Sequence, residues 1–144
     1  SPPQANTTDS RFNSMGRRKP ERHGLTPISS WLAYVAGYLD GEGSFMYGSS
    51  PTVSVTNTFP YTLRKLCEMY GGRVDERESK TGRFYYQWRL YGEPAIDFIR
   101  EIQPYLWEKL PQADLVLRIR DTQPGQQRDG LIAQLKHLKR LEYK

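Results

Sequence analysis

Cysteine is almost missing from this 144-residue chain: Cys67 stands alone, so no intrachain disulfide can form. Histidine is as scarce, and His23 and His137 are too scattered to give a zinc-ligand spacing. No apolar run approaches a membrane span, and the first residues lack the apolar stretch of a signal peptide. These absences exclude a disulfide scaffold, a zinc module and a membrane helix, and they lead us to expect an intracellular, reducing setting. Cys67, within "TLRKLCEMY", reads as a small buried apolar residue.

Charge is present in plenty, 26% of residues, with a formal net of +5 and a pI near 9.4. That excess leans toward a polyanionic partner. It is uneven. Residues 1–28 carry Arg11, Arg17, Arg18, Lys19 and Arg22 against Asp9 and Glu21, a net of +3. Residues 128–144 are again +3, and the middle of the chain is −1. Nucleic-acid binding by the middle would therefore depend on where its charges are placed. The first 28 residues, rich in Pro, Ser, Thr and Asn and without periodicity, read as a flexible basic arm, and 29–144 as one domain.

Within that domain, Ser29-Ser30 predicts an N-cap before a helix running to about Leu39. "GSFMYGSS" and "PTVSVTN" read as strands joined at Ser-Ser-Pro, and "YTLRKLCEMYGG" as a helix stopped by its two glycines. "RVDERESKTGRFYYQWRLYG" is a hairpin turning at Lys80-Thr81-Gly82. "EPAIDFIREIQPYL", "PQADLVLRIRDT" and "RDGLIAQLKHLKRLEYK" complete the chain as helices. The class is α+β, one antiparallel sheet with helices on one face.

Alternation divides the sheet into two faces. In "RFYYQWRLY", Phe84, Tyr86, Trp88 and Leu90 form a core set, while Arg83, Tyr85, Gln87, Arg89 and Tyr91 face away. On the preceding strand Val74 goes inward and Arg73, Asp75 and Arg77 outward; in "TVSVTN", Thr52, Ser54 and Thr56 are outward. Such donor-bearing side chains suit base edges and phosphates in a major groove, and Asp75 could accept from a cytosine amine. An ordinary solvated sheet face accounts for the pattern equally well.

The first helix contains "WLAYVAGYLDGEGSF". Ala33, Gly37 and Gly41 recur every fourth residue, a small-residue stripe on one helix face. It would let two helices approach closely, either within the chain or between copies. Asp40 and Glu42 sit at the helix end where negative charge is least favoured. Two such helices packed about a two-fold axis would bring two Glu42 carboxylates together, an arrangement that a divalent cation relieves.

"VAGYLDGEG", Val35 to Gly43, resembles the nine-residue signature of the LAGLIDADG homing endonucleases, matching it at Ala36, Gly37, Asp40 and Gly43. With the αββαββα order, extended by C-terminal helices, and "QPYLWEKLPQADLVLRI", the resemblance spans roughly Trp31 to Thr122. A single signature resembles the homodimeric branch. The resemblance implies the saddle-shaped antiparallel sheet of that family. It also implies a site-specific double-strand DNA endonuclease, encoded by an intron, an intein or a free-standing frame. Its target would be a long palindromic or near-palindromic site, hydrolysed with Mg2+, for which Mn2+ can substitute. Glu42 would be the metal-binding acid, with the Gly41 carbonyl assisting. Lys109 would polarise water or stabilise developing charge, and Asn57 would order active-site water. Asp40 would tie down groups at the helix ends, within a dimer interface with Ala33, Gly37 and Gly41. The expected partners are double-stranded DNA and a second copy of the chain, with no membrane and no small-molecule substrate. The compartment would be a bacterial, archaeal or phage cytoplasm, or an organelle. The rival readings are a non-cleaving relative, such as an intron maturase or DNA-binding regulator, and a protein-interaction domain.

Overall fold

A computed structural model describes residues 26–142. The basic arm expected over residues 1–28 therefore lies, up to residue 25, outside the described residues, as does Lys144. The element order is α1 (Pro27–Glu42), β1 (Gly43–Tyr47), β2 (Pro51–Asn57), α2 (Tyr61–Tyr70), β3 (Arg73–Glu78) and β4 (Phe84–Tyr91). Then follow α3 (Gly92–Ile102), a 3-10 turn (Gln103–Tyr105), α4 (Leu110–Asp121) and α5 (Gln126–Glu142).

Helix α1 starts earlier than Ser29-Ser30 suggested. Thr26 is the N-cap, its hydroxyl accepting from the Ser29 amide at 2.9 Å, and Pro27 occupies the first turn, where its missing N–H costs nothing. The helix also runs on through Asp40 to Glu42, so both acids lie in its last turn. Helix α3 stops at Ile102 and tightens into the 3-10 turn, because Pro104 cannot donate to the helical ladder.

The sheet is antiparallel with strand order β1-β2-β4-β3. Its inner face carries Phe45, Val53, Val55, Trp88 and Leu90, all essentially buried against α1, α2 and α3. The Trp88 ring meets Phe98 of α3 edge-on at 5.4 Å, and its indole N–H donates to the Gly71 carbonyl at 2.8 Å. Phe84 departs from the expected core set. It shares this face but remains 58% exposed, because β4 begins at the hairpin tip, beyond the covering helices. Glu76 and Glu78 pair with Tyr86 and Phe84 and so lie on this inner face, away from the Arg-rich one. Two glycines are sterically required. A Cβ on Gly72 (φ +85°) would stand 2.3 Å from the Arg89 carbonyl, and one on Gly43 would stand 2.3 Å from the Leu39 side chain.

Candidate active site

Helix α1 ends where β1, the 3-10 turn and α4 meet, and there the chain makes a reciprocal exchange of charge. The Asp40 carboxylate accepts from the Trp107 and Lys109 amides at 2.9 and 3.0 Å, holding the turn before α4. The Lys109 ammonium donates back to the Leu39 and Asp40 carbonyls at 3.3 and 3.0 Å. A lysine only 5% exposed thus supplies the positive charge that the last turn of α1 requires. Acids are tolerated at this helix end because Asp40 is engaged by amides and Lys109 compensates the carbonyl dipoles.

Glu42 is different. It is exposed and has no ion-pair or side-chain hydrogen-bond partner among the described residues. It lines an open cavity of about 840 Å³ together with Gly41, Ser44, Ser54, Thr56, Gln87 and Lys109. Burial raises the Tyr38 hydroxyl above its ordinary pKa, the Asn57 hydrogen bond opposes this, and the Glu42 charge adds to the rise.

The outer face of the sheet opens beside this cavity. The register sets Ser44, Ser54, Arg89 and Arg73 in one row across four strands, and Thr56, Gln87 and Asp75 in the next. Tyr85 and Arg77 follow, while Arg83 sits in the hairpin turn. The outward row expected from alternation is thus a real surface, with one qualification. Thr52 and Ser54, on a central strand, are only 9% and 6% exposed, Ser54 lining the cavity, whereas Thr56 stands exposed beside it. Asp75 is also engaged: its carboxylate meets Arg73 at 3.2 Å and Arg89 at 3.8 Å.

Asn57 does not join the cavity. By strand parity it shares the inner face with Val53 and Val55, opposite Tyr86, and its amide donates to the Tyr38 hydroxyl at 2.9 Å while its Oδ1 accepts from the Phe59 amide at 3.0 Å. It ties the end of β2 to α1.

Sequence reasoning missed two residues delivered by α5. The Lys139 ammonium bonds the Ser44 hydroxyl, and the Glu142 carboxylate lies 3.7 Å from the Lys109 ammonium and accepts from the Gln112 amide at 3.2 Å. Both line the cavity. Helix α5 is anchored at its other end by Arg128, which bonds the Tyr47 hydroxyl and stands 4.9 Å from that ring's centroid. The only signal was the basic excess of residues 128–144.

The stripe of α1 is solvent-facing. Ala33, Gly37 and Gly41 are exposed, and a Cβ built on either glycine meets nothing within 4 Å. Packing against the chain's own core therefore does not account for these glycines.

No family profile and no curated protein matches this chain by sequence. Its fold does match solved structures. The homing endonuclease I-CvuI, in complex with its target, superposes with a TM-score of 0.63 at 19% identity, over 77% of this chain and 83% of that one. The homing endonuclease I-TnaI gives 0.55 at 20% identity, over 78% and 96%. The archaeal intron-encoded I-Vdi141I, complexed with DNA, gives 0.54 at 14%, over 76% and 97%. The chain has the fold of the LAGLIDADG homing endonucleases. Among the described residues, no helix is long and apolar enough to cross a membrane.

Proposed function

We propose that this chain is a site-specific double-strand DNA endonuclease that acts as a homodimer on a palindromic or near-palindromic site with a divalent cation, Mg2+ or Mn2+. The observation that carries the reading is the meeting of an unengaged Glu42 and a buried Lys109 in one cavity at the edge of a donor-bearing sheet face. The likeness to DNA-bound homing endonucleases supports it.

The donor set fits a hard cation supplied with further ligands from outside the protomer. Among the described residues no cluster of three or more ligating side chains exists, and of the carboxylates lining the cavity Asp40 and Glu142 are engaged by other groups, which leaves Glu42 the candidate ligand beside the Gly41 carbonyl. Mg2+ is commonly held by one or two carboxylates plus waters and substrate phosphate. The exposed stripe of Ala33, Gly37 and Gly41 leads directly to Glu42, so pairing two α1 helices about a two-fold axis would bring two such carboxylates together. When bound, the cation would activate water and stabilise the charge developing on the phosphate.

The chain's own residues do the rest. The sheet face orients the duplex through Arg73, Arg77, Arg83, Tyr85, Gln87, Arg89 and Thr56. Lys109, fixed by two carbonyls, places a positive charge beside the reacting phosphate without having to reorganise. Asp40 positions Lys109 through its backbone amide.

The test is incubation with inverted-repeat duplexes in Mg2+ and in Ca2+, followed by sequencing of new ends and of bound DNA. Wild type should give paired breaks in Mg2+. Glu42→Gln should lose at least a hundredfold in cleavage while keeping Ca2+-supported binding. Binding by wild type without breaks would favour the non-cleaving reading, and breaks that survive in Glu42→Gln would remove this residue from the chemistry.

A further inference from the structure

Arg73 on β3 and Arg89 on β4 stand directly opposite one another. Like charges in that position destabilise a strand pair, so the arrangement calls for an explanation. Asp75, two residues along β3, lies between them. Its Oδ1 accepts from Arg73 Nε at 3.2 Å, its Oδ2 accepts from Arg73 Nη2 at 3.3 Å, and Arg89 Nη2 stands 3.8 Å from Oδ2. Arg89 is further held by the Tyr91 ring, 5.9 Å from its guanidinium carbon. These groups, with Gly72, line a second open cavity of about 340 Å³ on the outer face of the sheet.

An ion pair on an exposed hairpin adds little to stability, so holding β3 to β4 does not explain the cluster. What it does is orient two planar forks. Asp75 occupies the Nε edge of Arg73 and leaves the outer edge of that guanidinium, with its side chain 77% exposed, pointing away from the sheet's own hydrogen bonds. Arg89, 31% exposed, lies between the carboxylate, an ion pair at 3.8 Å, and the Tyr91 ring. A guanidinium fork held in place matches the O6 and N7 acceptors of guanine in the major groove, and it does so with less loss of side-chain freedom than a mobile arginine.

The geometry points to Arg73 and Arg89 as a guanine-reading pair, organised by Asp75, that makes each half-site require G·C pairs. This rests on the DNA-binding reading above. It also revises the expectation for Asp75, whose carboxylate is engaged by arginines and not presented to a cytosine. The row Ser44–Ser54–Arg89–Arg73 starts at the cavity that holds Glu42, with neighbouring strands about 4.8 Å apart. The required guanines should therefore lie within roughly five base pairs of the cut.

The experiment is selection of bound duplexes from a randomised inverted-repeat library in Ca2+, using the full chain as wild type, Arg73→Lys, Arg89→Lys and Asp75→Ala. Far-UV circular dichroism would confirm that each variant is folded. Wild type should enrich G·C at positions that respond separately to the two arginines. Each lysine variant should lose the preference at its own position by about tenfold or more and bind the wild-type site more weakly by a similar factor, with the salt dependence nearly kept, since lysine replaces the charge but not the fork. Asp75→Ala should relax both positions. An enriched site without those G·C pairs, or one whose G·C pairs persist in the lysine variants, would overturn the assignment and leave the DNA-binding reading intact. If wild type enriched no sequence at all, both would fall.

Discussion

Asp40 and Lys109 exchange backbone partners across the end of α1, so the Asp40 carboxylate is committed to holding the turn before α4. Its two amide bonds are charge-assisted and tie together residues almost seventy positions apart. Asp40→Ala should cost about 2 kcal/mol of stability in urea unfolding, since two amides lose an ionised acceptor. It should also lower cleavage, because the Lys109 backbone is released. A variant of wild-type stability would mean that the turn before α4 is held by other groups. Lys139 supplies a second residue-level prediction. Burial lowers its pKa from the ordinary 10.5, Lys109 adds to that, and Glu142 opposes it. Just below 10.5 the unfolded chain then binds more protons than the folded one at this site, so its contribution to stability rises with pH through that window. Urea unfolding of wild type and Lys139→Met should differ in slope only there; parallel pH profiles would count against a perturbed lysine.

At the scale of the element, α1 does two jobs with two faces. Val35, Ala36 and Leu39 are buried in the core, while the glycine-bearing face is exposed. Glycine within an exposed helix costs about 1 kcal/mol relative to a good helix former. Since nothing among the described residues approaches Gly37, Gly37→Leu should stabilise the isolated protomer by roughly that amount. If two α1 helices pack in the active form, the same change should shift sedimentation from dimer to monomer and abolish paired breaks. A dimer that survives Gly37→Leu would place the interface elsewhere. Helix α5 likewise joins two sites, lying along the edge strand β1 with Arg128 on Tyr47 and Lys139 on Ser44. That cover also protects an edge that would otherwise invite pairing with another chain.

For the whole molecule the relevant quantity is the distribution of charge. The middle of the chain is nearly neutral, so phosphate attraction should come largely from its ends. Deleting residues 1–25 removes five basic and two acidic residues. We expect the deletion to weaken DNA binding. It should also flatten the dependence of log affinity on log salt by about 0.9 for each phosphate that the shortened chain no longer neutralises. An unchanged salt slope would show that this segment does not touch the duplex.

The sequence by itself determined the order of elements, the two faces of the sheet and the motif at the end of α1. These rest on periods of two and 3.6 residues and on caps and turns, which near neighbours set. Even there the Thr-Pro start of α1 was the better signal than Ser29-Ser30. Tertiary structure decided which of those residues meet. Alternation already put Asn57 on the helix side with Val53 and Val55, and what the tertiary structure added is the Tyr38 hydroxyl that receives its amide. Asp75 acquired two arginines because β3 and β4 align Arg73 with Arg89. Lys139 reached Ser44 across 95 positions, and Lys109 reached the carbonyls of α1 across 69 and 70. Pairings of that separation leave no local pattern in a chain; they arise only when α4 and α5 pack back against the start of the sheet.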